Sequence, residues 1–97
     1  WGIAASICAA MEGFTRAMAI ELAPIRVNLV APGVVRTNLW NSLSATDREQ
    51  LYTSVGNSLP LKRIGEAEDI ALSFIYLMKQ QFATGQVLVV DGGAVLV

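Results

Sequence analysis

The chain has 97 residues, seven Lys+Arg against eight Asp+Glu, no His and a formal charge of −1. That is one small domain's worth of sequence, without the basic surplus that nucleic acid or an anionic membrane attracts. Its longest uncharged run, the twelve residues Gln50–Leu61, is too short for a membrane-spanning helix, and the absence of His excludes imidazole metal sites and His-based catalytic triads.

The single cysteine, Cys8, has no partner for an internal disulfide, so a reducing, cytoplasmic compartment is expected. Hydrophobic residues make up 54% of the chain and charged residues 15%, against about 45–50% and about 25% in average globular proteins. A small domain has proportionally more surface and should depart the other way. The chain also opens on Trp1 and enters an apolar stretch without a basic lead-in. It is therefore expected to be the C-terminal portion of a larger domain, with apolar faces built to be covered.

From Gly2 to about Leu22 good helix formers dominate, and Pro24 ends the run. Apolar residues stand on almost every face of this helix, including Ile3, Ile7, Met11, Phe14 and Met18, so burial on more than one side is expected. The β-branched run Val27–Ala31 reads as a buried strand of a parallel sheet, stopped by Pro32-Gly33. A loop follows to Asn41. Ser44 with Asp47 three residues on is an N-cap pattern, predicting a helix from Ala45 to Val55 closed by Gly56-Asn57.

Leu59–Gly65 is extended. Glu66, Glu68 and Asp69 gather where the positive end of a helix dipole would favour them, and Ile70, Phe74 and Leu77 supply that helix's inner face over Ala67–Met78. The second strand is Val87–Val90, ended by Asp91-Gly92-Gly93. Helix, strand, two helices and strand is the order of an α/β sheet with parallel strands.

Five segments carry a resemblance: Glu21–Asn28 (ELAPIRVN), Ala31–Thr37 (APGVVRT), Arg63–Ala71 (RIGEAEDIA), Thr84–Gln86 (TGQ) and Val89–Gly93 (VVDGG). In this order and spacing the chain resembles the C-terminal half of a short-chain dehydrogenase/reductase, over essentially its whole length. The resemblance implies an α/β fold, the C-terminal part of a Rossmann-like doubly wound parallel sheet. It also implies an oxidoreductase using NAD or NADP to interconvert an alcohol and a carbonyl. The glycine-rich turn that cradles the cofactor's pyrophosphate is not in this sequence, so only the nicotinamide end is represented.

In the family a Pro-Gly after the sixth strand lies beside the nicotinamide ring, and here it is Pro32-Gly33. A strand that ends on Pro and Gly turns sharply and lets backbone approach a flat ligand. The family's backbone contact to the carboxamide falls on Val35 and its hydroxyl contact on Thr37. The stretch Thr37–Gly56 corresponds to the variable substrate lid, where Leu39, Trp40 and Leu43 present apolar surface. Trp40 either caps a substrate or anchors the loop on the body.

Active family members carry Tyr-x-x-x-Lys at the start of the long helix, one turn apart on one face. The lysine charge favours the tyrosinate, so the phenol exchanges a proton as hydride moves. Those positions are Ala4 and Cys8, and the motif is absent in every register. With no cation within a turn to activate it, Cys8 reads as a small buried hydrophobe, and Ser6 as satisfying a helix carbonyl or touching substrate. The alternative function is a catalytically silent protein that binds a dinucleotide or a partner subunit. Family members commonly pair this helix with its own copy, so a homo-oligomer through residues 3–22 is expected.

Overall fold

The computed structural model describes residues 1–97. The chain forms helix α1 (Gly2–Glu21), strand β1 (Leu29–Pro32), a 3-10 turn at Asn38–Trp40, helix α2 (Ala45–Ser58), helix α3 (Ala67–Lys79), strand β2 (Val87–Val90) and a second 3-10 turn at Ala94–Leu96. β1 and β2 are adjacent and parallel, with Leu29 opposite Val87 and Pro32 opposite Val90. The connection between them passes through α3, which packs on both strands, while α1 packs on β1. This is the expected α/β arrangement.

The ladder reaches beyond the strands. Leu29 N–H donates to Gln86 O at 2.9 Å below it, and Gly33 N–H donates to Val90 O at 3.0 Å above it. The first strand is shorter at its start than Val27–Ala31, because the Arg26, Asn28 and Thr84 side chains take part in the bonding there in place of a regular ladder, with one backbone bond, Gly85 N–H to Val27 O at 2.7 Å. Arg26 donates to Leu77 O and Met78 O at 2.7 and 3.1 Å, closing the C-terminal end of α3. Asn28 donates to Ala83 O at 2.9 Å and accepts from Gln86 N–H at 3.1 Å, and Val27 N–H donates to the Thr84 hydroxyl at 3.1 Å.

Ser44 caps α2 as expected, accepting from Asp47 N–H at 3.1 Å. The helix does not close at Gly56-Asn57 but continues to Ser58. Its terminator is Pro60, which drives Leu59 into extended backbone at φ −79°, ψ 148°. Gly56 is instead a close approach: a Cβ there would stand 3.4 Å from Arg63 Cα. At α3 the Asp69 carboxylate accepts from Glu66 N–H at 2.8 Å, fixing the first turn.

Three expectations about burial are corrected. α1 is not buried on several sides within this chain: Thr15 is its one buried residue, and Ile3, Ile7, Met11 and Phe14 are exposed. Cys8 is exposed rather than buried, because the first turns of α1 reach past β1. Phe74 is 50% exposed, because a sheet of two strands is too narrow to cover that face of α3. Ser6 does donate to Gly2 O at 2.8 Å, the carbonyl-satisfying role. α1 is, against the expectation from uncharged runs, long and apolar enough to cross a membrane by length and composition; in this chain it packs on β1.

The buried hydrophobic residues, Val35, Tyr52, Leu59 and Ile64, all lie outside the two strands. Val35 pairs with Gly65 in a one-residue parallel bridge, with Gly65 N–H donating to Val34 O and Arg36 N–H to Gly65 O, both at 2.9 Å. That bridge joins the end of β1 to the segment that enters α3.

Candidate functional site

Where β1 ends, Gly33 presses against the end of β2. A Cβ on Gly33 would fall 2.8 Å from both Cα and Cβ of Asp91, closer than real side chains come. The glycine is therefore needed for an approach by Asp91, not first of all for one by a ligand. Asp91 is held in turn by its own carboxylate, which accepts from Gly93 N–H at 2.9 Å and Val95 N–H at 3.1 Å. Gly93 has φ 96° and sits over Pro60, so this turn has little freedom.

Beside the same end of β1 lies a cleft of about 430 Å³. Its near wall is Pro32 at the end of β1 and Gly33, Val35, Thr37, Leu39 and Trp40 from the loop that follows. Ala67, Ile70, Ala71 and Phe74 from α3 form the other wall. All four residues expected on the cofactor side thus meet two of the three expected in the lid. Leu43 does not line the cleft; it sits in the turn that follows, its N–H donating to Trp40 O at 3.1 Å. Ala4 and Cys8 do not line it either.

No lining side chain carries a charge, and the polar groups are few. Val35 is 9% exposed and its N–H has no hydrogen-bond partner in the chain. Such a donor is costly to leave unpaired, which makes it a place for a ligand acceptor. Thr37 Oγ1 accepts from Leu39 N–H at 3.4 Å, starting the 3-10 turn and leaving its own proton to donate. Trp40 Nε1–H donates to Val35 O at 3.1 Å. The indole therefore anchors the loop on the body, while also forming cleft wall.

Sequence reasoning gave Ile70 and Phe74 to the sheet and did not assign Ala67 or Ala71. Their signal was present: Ala67, Ile70, Ala71 and Phe74 recur at i, i+3, i+4 and i+7, so one face of α3 points at the loop after β1. It also missed the charged frame behind the cleft. Arg36 Nη1 reaches Glu49 at 2.9 Å and its Nε reaches Glu66 at 3.4 Å. Its guanidinium carbon stands 4.5 Å from the centre of the Tyr52 ring, a cation–π contact. The hydrogen bond that Arg36 donates to Glu49 raises the Arg36 pKa above its usual value, against a smaller desolvation effect.

A second hollow of about 250 Å³ lies beneath Gly65, lined among others by Val34, Arg63, Asp69 and Asp91. Its charges are already matched. Arg63 holds Asp69 with two bonds at 2.8 and 3.1 Å, a forked pairing. That hydrogen bond first, and the Glu66 N–H second, lower the Asp69 pKa from 3.8 to about 2. Asp91 spends both oxygens on its turn. The larger, uncharged cleft is the better candidate for a small molecule.

The family model described as Enoyl-(Acyl carrier protein) reductase matches residues 3–95. Among curated proteins, carbonyl reductase family member 4 of Danio rerio is 40% identical over 87 residues, covering 88% of this chain and 34% of its own length. The 3-oxoacyl-[acyl-carrier-protein] reductase of Bos taurus is 43% identical over 85 residues, covering 86% and 33%. A solved small-chain dehydrogenase in complex with NADPH superimposes with a TM-score of 0.94 at 42% identity, covering 96% of this chain and 42% of that one. The chain spans about a third of the length of the curated relatives it matches. With the match running from α1 through the turn after β2, the chain belongs to the short-chain dehydrogenase/reductase family.

Proposed function

We propose that this chain supplies the nicotinamide-facing wall and substrate lid of an NAD(P)-dependent oxidoreductase that interconverts a small-molecule alcohol and carbonyl. The observation that carries the reading is the convergence of Pro32, Gly33, Val35, Thr37 and Trp40 on one uncharged cleft where the N–H of Val35 is unpartnered. Those groups fit a flat ring bearing a carboxamide. The Val35 N–H would donate to the amide oxygen and the Thr37 hydroxyl would bond the same end of the cofactor. Pro32 and Gly33 would offer a face without bulk, and Leu39 and Trp40 would exclude water from the substrate side.

When bound, the reduced cofactor supplies a hydride for the carbonyl carbon, and the oxygen then takes a proton. Ala4 and Cys8, at the family's Tyr and Lys positions, do not provide that proton as a positioned phenol would. A group outside this chain is therefore assigned the acid role. Self-association through α1 belongs to the same reading, supported by the exposed Ile3, Ile7, Met11 and Phe14, and so does a cytoplasmic setting, supported by the lone Cys8.

The test is titration of the full-length protein with NADPH and NADH, followed by initial rates over a carbonyl and alcohol panel. Binding is expected, and Thr37→Val should weaken it by roughly fivefold, about 1 kcal/mol for one hydrogen bond. Failure to bind either dinucleotide overturns the reading. Binding without turnover favours the second reading, a silent dinucleotide-binding protein, which Ala4 and Cys8 support. In that case Ala4→Tyr with Cys8→Lys, made together, should create turnover where neither change alone does, since a positioned acid is worth about 10²–10⁴ in rate.

A further inference from the structure

We propose that Arg36 is a positioning residue that holds α2, and with it the lid loop, at the mouth of the cleft. The backbone of Arg36 belongs to the cleft frame: it lies between Val35 and Thr37, which both line the cleft, and its N–H is tied to Gly65 O at 2.9 Å. Its side chain runs the other way and joins three elements. Nη1 meets Glu49 in the middle of α2 at 2.9 Å, Nε meets Glu66 at the start of α3 at 3.4 Å, and the guanidinium lies over Tyr52 of α2 at 4.5 Å.

α2 needs such a fastening. It makes no broad contact with either strand or with the other helices. Apart from Arg36, its anchors are the buried Tyr52 ring, the close approach of Gly56 to Arg63, the Arg48 bond to Asn41 and the Lys62 ammonium on Asn57 O. Four residues separate α2 from the turn that carries Leu39 and Trp40, and Arg48 ties the two by donating to Asn41 Oδ1 at 2.8 Å, so a swing of α2 is passed to that turn. Both ion pairs are half exposed and contribute little stability individually. What one planar, forked cation supplies is a fixed angle between the end of β1, α2 and α3. A lysine cannot reproduce it, because a point charge neither forks to two carboxylates nor stacks flat on a ring.

This inference rests on the proposed function only for the identity of the cleft's occupant, and its test needs no ligand. The full-length protein is labelled with fluorotryptophan, and the Trp40 fluorine resonance is identified by its loss in Trp40→Phe. In the unliganded protein Glu49→Gln should shift or broaden that resonance. Arg36→Ala should double it as the lid samples a second position, and Arg36→Lys should fall between. The Trp1 resonance should stay in place throughout. An unmoved Trp40 resonance in Glu49→Gln and Arg36→Ala overturns the proposal. If Arg36→Ala does not fold, Glu49→Gln decides alone. A resonance that responds to these variants but ignores NADPH supports the clamp and counts against the cofactor reading; the reverse pattern overturns the clamp alone.

Discussion

Helix α1 and the segments around the two strands spend their polar groups differently. In α1 the side-chain hydrogen bonds are local, from Ser6 to Gly2 and from Thr15 to Met11, each spanning one turn, and Ile3, Ile7, Met11 and Phe14 stand exposed. Around the two strands, Arg26 reaches 51 and 52 positions along the chain and Asn28 reaches 55 and 58. α1 is specified by residues next to one another and is tolerant of change on its outer face. The sheet is specified by groups that must find each other across more than half the chain, and single changes there should be expensive.

The sharpest way to break this comparison is Gly33→Ala in the full-length protein. The added methyl meets Asp91 backbone at 2.8 Å and should cost about 1–3 kcal/mol, as overpacking does. Urea unfolding reads it, and wild-type stability would mean that the end of β2 moves freely. Asn28→Ala comes next. It leaves Ala83 O and Gln86 N–H without their partner and should cost about 1–2 kcal/mol in the same assay.

Acid sharpens the contrast through Asp69. Its folded pKa, about 2, lies below the ordinary 3.8 because of Arg63. It therefore binds a proton less readily folded than unfolded. Its contribution is present above about pH 4 and is lost as pH falls through the window between 3.8 and about 2. Asp69→Asn should flatten that part of the acid-unfolding curve, and an unchanged curve counts against the pair. The smallest effect is expected in α1: Ile7→Ser should change the unfolding midpoint of dilute protein by no more than about 0.5 kcal/mol. Its effect should appear instead as weaker self-association in sedimentation.

How far the sequence could be read follows the same division. β2 was legible to within a residue, because an unbroken apolar run, Val87–Val90, lies between Gly85-Gln86 and Asp91-Gly92. The Ser44 cap was legible, since its partner Asp47 is three positions away. Pro32, Gly33, Val35 and Thr37 could be brought to one site through the motif they share. Gly56 misled, because its small size serves Arg63 rather than a helix end, and that contact is invisible until α2 is folded back. Phe74 misled because the pattern marks an inner face without saying how much sheet lies beneath it. Cys8 misled for the same reason. The Arg36 fastening carried no spacing signal at all, since Glu49 and Glu66 belong to different elements.

The contact between Gly33 and Asp91 also sets an order of events during synthesis. β1, the lid turn and α2 all emerge from the ribosome before β2 and the turn after it. Until Asp91 arrives, Gly33 has nothing to rest on and β1 has no parallel neighbour within this chain. Pairings of such long sequence separation form late and slowly. A nascent chain arrested between α3 and β2 would therefore display a finished α1 and a β1 with an unpaired edge. That interval is when a holdase chaperone would find this protein most adhesive.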